Sequence, residues 1–187
     1  MLTNPVETFR QSKNDEAAGA FTYFGVLLLI NAILSAIVAT IGMSVMPAFA
    51  GPSFGPLMPV AIFLMMLIGG AIVTLVFSAW LHLWVYILGG RNGIMQTVYA
   101  VIYGSTPRLL FGWIPFVGIL FALWSLILGI IGIRELQDLG TGKAALAVII
   151  AILIPLILII LLAAYLFVSS TSMMTAVPEA PENLFLF

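Results

Sequence analysis

The chain has no cysteine, a single histidine and few charges, and each shortage removes a class of function. Without cysteine there is no disulfide framework, no thiolate nucleophile and no cysteine-based metal site. One histidine, His82, excludes any metal motif built on two imidazoles. The six basic residues are dispersed and the formal charge is -1, which excludes nucleic acid as a partner because phosphate binding requires concentrated Lys and Arg.

Hydrophobic residues are what the sequence has in excess. They make up 63% of its 187 residues, charged residues make up 7%, and the mean hydropathy is +1.25. An ordinary globular domain is about half apolar and about a quarter charged. So few charged side chains cannot cover the surface of a soluble domain of this length, and the composition predicts an integral membrane protein.

Five apolar segments predict membrane-spanning helices, since a bilayer core of about 30 Å takes about 20 apolar residues in a helix. They lie near residues 21–43, 57–88, 94–110, 115–133 and 144–168. The third is the weakest, because Gln96, Gly104 and Pro107 interrupt a short stretch. None shows the alternation of barrel strands, so we predict an all-α bundle of five transmembrane helices.

The positions of Lys and Arg predict the orientation, because both are enriched in cytoplasmic loops. With five spans and a cytoplasmic amino terminus, Arg108 lies outside and five basic residues lie inside, namely Arg10, Lys13, Arg91, Arg134 and Lys143. If the third segment were a re-entrant loop, four basic residues would lie inside and two outside. The charge bias therefore favours five spans, with the carboxyl terminus outside.

The segments that flank the spans carry their own predictions. Residues 1–20 lack the pattern of a signal peptide and are expected to be a cytoplasmic segment, with a short helix capped by Asn4. The apolar side chains of Leu2, Val6 and Phe9 would rest at the bilayer interface, and a flexible tail is the alternative. Residues 169–187 are expected to form an extracytoplasmic tail.

Small and polar residues repeat along three of the predicted spans, as they do where helices pack closely in lipid. The row in the second span consists of Gly70, Thr74, Ser78 and His82. These rows predict a central group formed by the second, third and fourth spans. The alternative is a small channel or transporter, in which this row and the break from Tyr103 to Arg108 would form a polar path, with Pro107 freeing backbone carbonyls.

Eight residues are candidates for function or interaction: His82, Arg91, Tyr103, Pro107, Arg108, Arg134, Glu135 and Lys143. His82 is ionisable within a predicted span, which marks a functional candidate, although a bond to a neighbouring hydroxyl would give it a structural role. The charged side chains near the predicted cytoplasmic ends would form a small charged face open to a partner: Arg91, Arg134, Glu135, Asp138 and Lys143. Arg108 would anchor at the outer head groups. No catalytic, cofactor-binding or metal-binding residue is predicted.

The order of several short motifs resembles the YIP domain family, the Ypt/Rab-interacting membrane proteins, in the short form found in archaea and bacteria. The motifs extend over residues 82–97, 103–107, 113–118 and 132–144 and include Gly89, Gly90, Arg91, Asn92, Gly93, then Tyr103, Gly104, Ser105, Thr106, Pro107, and later Gly132, Ile133, Arg134, Glu135. The resemblance covers residues 5–165.

The resemblance implies five helical spans, a cytoplasmic amino terminus and a non-enzymatic role without a cofactor. Eukaryotic relatives bind small GTPases and other family members during vesicle traffic, so the implied partners are a small GTPase, other membrane proteins or a second copy of the chain. The segment 1–20 is shorter than the corresponding segment of those relatives. We therefore expect a multi-pass protein of a prokaryotic cell membrane that organises the membrane or its protein complexes.

Overall fold

The computed structural model describes residues 5–14, 16–45 and 57–175, and throughout these ranges the regular structure is helical. The predicted cap Asn4 and the apolar Leu2 lie outside the described residues. The helices are α1 (Pro5–Gln11), a 3-10 turn (Ser12–Asn14), α2 (Ala17–Val45), α3 (Met58–Leu64), a π-helical turn (Met65–Gly69), α4 (Gly70–Ile87), α5 (Ile94–Gly104), α6 (Thr106–Phe111), α7 (Val117–Leu136) and α8 (Thr141–Thr175).

Four helical stretches of the described chain are long and apolar enough to cross a membrane. They are Ala17–Gly42, Met58–Ile87, Val117–Leu136 and Thr141–Thr171. These stretches correspond to four of the five predicted spans and confirm an all-α fold with several membrane-crossing helices. The predicted third span instead forms two short helices, α5 and α6, so the count of five crossings stays a prediction at this point.

Pro107 explains why the third segment is broken. A proline has no backbone N–H, so the carbonyl one turn earlier, that of Tyr103, loses its helical donor. The hydroxyl of Thr106 donates to this carbonyl at 2.8 Å, and the hydroxyl of Ser105 donates to the carbonyl of Ile102 at 2.8 Å. These carbonyls are therefore satisfied within the protein, where the alternative prediction had them lining a polar path.

α5 lies at the centre of the bundle although its sequence is the least apolar of the predicted spans. It packs against α2, α4 and α7, and most of its side chains from Thr97 to Gly104 are buried. A helix surrounded by protein meets little lipid, so it tolerates polar side chains that bond to neighbouring helices. The small-residue rows predicted this central position between the second and fourth spans.

The segment from α5 to α6 runs antiparallel to α7 along nearly its whole length. A Cβ on Gly104 would lie 3.0 Å from the backbone nitrogen of Gly129, so the two backbones nearly touch. Further along, the backbone nitrogen of Arg108 donates to the hydroxyl of Ser125 at 3.0 Å. Gly112, just after α6, lies against Gly118, near the start of α7. The broken segment therefore extends as far through the bundle as α7 does.

The short helix α1 is held against α7 by one aromatic ring. Phe9 is fully buried, and a Cβ on Gly132 would lie 2.8 Å from its ring. The absence of a side chain at Gly132 thus provides the space that the ring fills. Phe9 packs on protein at this point, whereas the sequence had placed it at the bilayer interface.

The chain divides into two compact units, Met1–Ile149 and Ile150–Phe187. The first holds α1 to α7 and the beginning of α8. The second holds the rest of α8, which continues to Thr175 and so enters the predicted tail 169–187. Its side chains from Leu156 to Val168 are largely exposed, as expected of a helix that meets lipid.

Candidate interaction surface at one end of the bundle

Three segments that are distant in sequence meet at one end of the first unit. They are residues 5–14, the loop 88–93 and the turn 137–140, and Lys143 follows on the first turn of α8. We call these segments, with Arg134, Glu135 and Lys143, the charged end. It contains five of the six basic residues of the chain. The structure thus gathers the basic residues that the sequence assigned to the cytoplasm.

Ion pairs join residues 5–14 to the end of α7. The Nε of Arg10 donates to Glu135 at 2.9 Å, and Arg134 donates to the other oxygen of the same carboxylate at 2.9 Å. The Nζ of Lys13 lies 2.7 Å and 2.9 Å from the two oxygens of Asp138. Two carboxylates therefore pair with three cations. The ion pairs of Arg10 and Lys13 both connect the amino-terminal segment to residues 135–138.

These contacts shift the pKa values of Arg10 and Asp138. The hydrogen bond that Arg10 donates to Glu135 raises the pKa of the guanidinium, which stays charged at every physiological pH. The hydrogen bond from Lys13, followed by one from Asn92, holds the pKa of Asp138 below its ordinary value. The charged forms are thus the forms that the folded charged end favours.

Gln137 links the loop 88–93 to the interior of the bundle. Its side chain is 2% exposed, and its Nε2 donates to the carbonyl of Gly93 at 2.8 Å and to the hydroxyl of Thr97 at 2.9 Å. Its Oε1 accepts from the backbone nitrogen of Asn92 at 3.1 Å. The amide of Asn92 in turn donates to Asp138 at 2.7 Å. This network fixes the loop against the turn after α7.

The same network reaches His82 inside the predicted second span. The Nδ1 of His82 and the hydroxyl of Thr97 lie 2.8 Å apart, and Thr97 is fully buried. The hydroxyl therefore bonds both the imidazole and the amide of Gln137. This hydrogen bond to a hydroxyl of a neighbouring helix corresponds to the structural alternative for His82.

Two cations of the charged end remain open to solvent. Arg91 is exposed, with its guanidinium 3.8 Å from the centre of the Tyr86 ring and its Nη1 donating to the Tyr86 carbonyl at 3.0 Å. Lys143 is also exposed, and its Nζ lies beside Gly89. Within the described ranges neither side chain has an anionic partner. Arg10 is exposed as well but is paired with Glu135, so among the described residues of this surface Arg91 and Lys143 are the exposed cations that no carboxylate neutralises.

The remaining sequence candidates lie away from the charged end. Tyr103 is buried, and its ring centre lies 5.5 Å from that of Tyr23. Tyr23 shares a hydrogen bond of 2.9 Å with the hydroxyl of Thr106. Pro107 is buried beside them, whereas the side chain of Arg108 is exposed. The structure therefore divides the eight candidates between the charged end, the buried contact of His82 and this second region.

Several residues that build the charged end were missed as candidates from the sequence: Lys13, Asn92, Thr97 and Gln137. One signal was available, because Gln137 and Asp138 are two polar residues directly after an apolar helix. Their partners are at least 40 positions away in the chain, which no local pattern reveals. Among the described residues, no three His, Asp or Glu side chains gather in a way that could hold a metal ion.

Comparison with known proteins supplies the family. The sequence profile of the Yip1 domain matches residues 1–179. No curated protein matches the chain, and no solved structure matches it. The profile extends over the spans, the charged end and the segment from Tyr103 to Arg108, and it confirms the resemblance noted in the sequence. The chain therefore belongs to the Yip1 domain family of membrane proteins.

Proposed function

We propose that this protein is a non-enzymatic five-span scaffold that organises membrane-protein complexes through the charged end. The observation that carries the proposal is the construction of that end. Ion pairs and a buried amide hold three separate segments together, and the same surface leaves Arg91 and Lys143 exposed and unpaired within the described chain. A rigid surface with accessible cations suits an acidic partner surface.

The five-span topology rests on two contacts. Lys13 and Asn92 both bond Asp138, which supports an arrangement with residues 5–14, the loop 88–93 and the turn 137–140 on one side of a membrane. That arrangement requires an even number of crossings between the last two segments. α7 is one crossing, and the segment of α5 and α6, which accompanies it from end to end, supplies the other.

The cytoplasm is the side that this arrangement favours for the charged end. Five basic residues lie there, and the described part of the opposite end holds Arg108. The positive-inside bias then orients the amino terminus toward the cytoplasm and the carboxyl terminus away from it. We propose a prokaryotic cell membrane as the location.

The hydrogen bonds of the polar row favour helix packing over a transport path. The hydroxyl of Ser78 donates to the carbonyl of Thr74 at 2.7 Å, and both side chains are buried. Gly70 faces Leu28 of α2, and His82 bonds Thr97. A path for ions or protons needs polar groups that are free to exchange partners, whereas these groups bond to the protein itself.

Cross-linking in native membranes tests the scaffold role. Reversal of both exposed cations, in the double variant Arg91→Glu and Lys143→Glu, is expected to remove specific cross-linked partners while the protein inserts normally. The double variant Arg91→Lys and Lys143→Arg keeps both charges and is the matched control. An unchanged partner profile in the double variant would contradict the proposal.

The partners proposed are other membrane proteins or a second copy of this chain. A small GTPase is the partner that the family resemblance implies, and binding of a purified GTPase to the wild-type chain but not to the double variant would identify it. Purified protein in liposomes is expected to give no ion, proton or solute flux above empty vesicles.

A further inference from the structure

A groove of about 400 Å³ lies between α2, the π-helical turn, α4 and α6, away from the charged end. Leu28, Met65 and Val73 contribute apolar walls, and Arg108 supplies a cation at its border. Both α2 and the stretch Met58–Ile87 belong to candidate membrane spans, so the groove faces the surroundings that lipid would occupy.

Arg108 has no counter-ion in the described chain. Its backbone nitrogen bonds Ser125, but its exposed guanidinium forms neither an ion pair nor a hydrogen bond with the described residues. The acidic residues described either precede α2 or lie at positions 135 and 138. Glu135 follows Ser125 by ten positions, which is about 15 Å along the axis of α7, so it cannot serve Arg108.

The stem of Arg108 lies beside Gly112. Its Cγ would lie 3.3 Å from a Cβ on Gly112, one turn further along the chain. The backbone of Arg108 is level with Ser125, about 12 Å from the beginning of α7. An arginine in such a position can extend its charge to the head groups while its methylenes stay on apolar surface.

We propose that this groove binds one anionic glycerophospholipid, with its phosphate on the guanidinium of Arg108 and one acyl chain along Leu28, Met65 and Val73. Charge complementarity selects the occupant. A guanidinium that lies in a membrane without a counter-ion costs free energy. A phosphate removes this cost because its oxygens accept two parallel N–H hydrogen bonds from the guanidinium. Methionine side chains adapt to a flexible chain, and Met65 and Met66 line the groove beside the apolar wall. This inference needs only that α2 and α4 lie in a membrane, so it stands apart from the scaffold role.

Native mass spectrometry of the full-length protein in detergent tests the proposal. Titration with dioleoylphosphatidylglycerol is expected to give one tightly retained lipid. Dioleoylglycerol, which has the same acyl chains and no phosphate, is expected to bind at least tenfold more weakly, because hydrogen bonds to a charged group are the stronger class. Arg108→Gln is expected to weaken phosphatidylglycerol binding by a similar factor.

A second pair of variants tests the position of the acyl chain without changing a charge. Val73 and Val76 are both 63% exposed, and only Val73 lines the groove. Val73→Trp fills the groove from an exposed position and is expected to reduce lipid binding, whereas Val76→Trp is expected to leave it at the wild-type level. Because both sites are exposed, neither substitution disturbs the core.

Three outcomes would overturn the proposal. The first is equal retention of phosphatidylglycerol by wild type and Arg108→Gln. The second is displacement of the lipid by millimolar inorganic phosphate, which would indicate a site for a free anion. The third is lipid binding that is absent in the wild type and appears only in the double variant Glu179→Gln and Glu182→Gln. Carboxylates of the chain itself, and not a lipid phosphate, would then be the counter-ions of Arg108.

Discussion

The side-chain amide of Gln137 donates to the hydroxyl of Thr97 at 2.9 Å, and both side chains are buried. Because His82 bonds the same hydroxyl, one oxygen joins the turn after α7 to α5 and α4. Thr97→Val keeps the shape and removes this oxygen. The variant is expected to lose about 1 kcal/mol of stability, the usual scale for a hydrogen bond between helices in lipid.

The unfolding temperature in detergent measures this loss. Thr22→Val is the matched control, since the hydroxyl of Thr22 is exposed and bonds only the carbonyl of Ala18 in its own helix. Equal unfolding temperatures for the two variants would show that the buried bond adds no stability.

Gly104 and Gly129 give a second prediction, in which two adjacent glycines respond differently. A Cβ at Gly104 meets backbone atoms of Gly129 at 3.0 Å, whereas a Cβ at Gly129 meets nothing within 4 Å. Gly104→Ala must separate two helices and is expected to cost about 1–3 kcal/mol. Gly129→Ala is expected to be neutral or to stabilise by up to about 1 kcal/mol, because alanine favours a helix. Thermal unfolding of the two variants side by side measures both effects, and a similar loss in each would argue against the close packing of α5 on α7.

Asp138 gives a pH-dependent prediction. Its pKa is lowered in the folded protein by the bond from Lys13, so its contribution to stability is present above the ordinary carboxyl pKa and disappears as the pH falls through the lowered value. At neutral pH Asp138→Asn is expected to be less stable than wild type by about 0.2–1 kcal/mol, since the pair is partly exposed.

As the pH falls below the ordinary carboxyl pKa of Asp138, 3.8, this difference between Asp138→Asn and wild type should shrink to zero. Unfolding temperatures of both proteins over an acidic series measure the convergence. Glu135, the carboxylate held by Arg10, is common to both proteins and cancels in the comparison. A difference that stays constant with pH would mean that the carboxylate of Asp138 contributes no ionic stabilisation.

Labelling of single cysteines tests the topology, and a chain without cysteine permits it directly. Arg91→Cys and Lys143→Cys are expected to react with a membrane-impermeant thiol reagent only after the membrane is permeabilised. The reason is that both positions belong to the charged end, which we propose to be cytoplasmic. Reaction of one from outside and the other from inside would contradict the five-span arrangement. Both side chains are exposed, so poor reaction of either in detergent would be the sign of a misfolded variant.

The long spans and the gathering of basic residues were predictable because each depends on local properties of the sequence. Four apolar stretches are long enough to cross a bilayer, and charge bias alone grouped Arg91 with Lys143. The family was also recognisable, from motifs around Arg91 and Pro107.

The small-residue rows predicted that α5 is central, but the hydrogen bonds that hold it there were not visible in its own residues. Gln96 and Thr97 lower its hydropathy, which makes it a weak span by itself. Thr97 finds a buried hydrogen-bond partner in Gln137, which is 40 positions away in the chain. The docking of α1 was equally hidden, because the space for Phe9 exists only where Gly132 lies against it. Both features depend on contacts between residues that are distant in the chain. The hydrophobic periodicity of a sequence carries information only on residues that are close in the chain.

The antiparallel pairing of α5 and α6 with α7 also bears on how the protein is made. A segment interrupted by Pro107 and polar side chains gains little free energy from entering lipid alone. The backbone N–H of Arg108 finds its acceptor, and the close glycine contact forms, only once α7 has been synthesised. We therefore expect residues 94–136 to leave the translocation machinery together, as one helical hairpin, with α7 carrying its weaker neighbour into the bilayer.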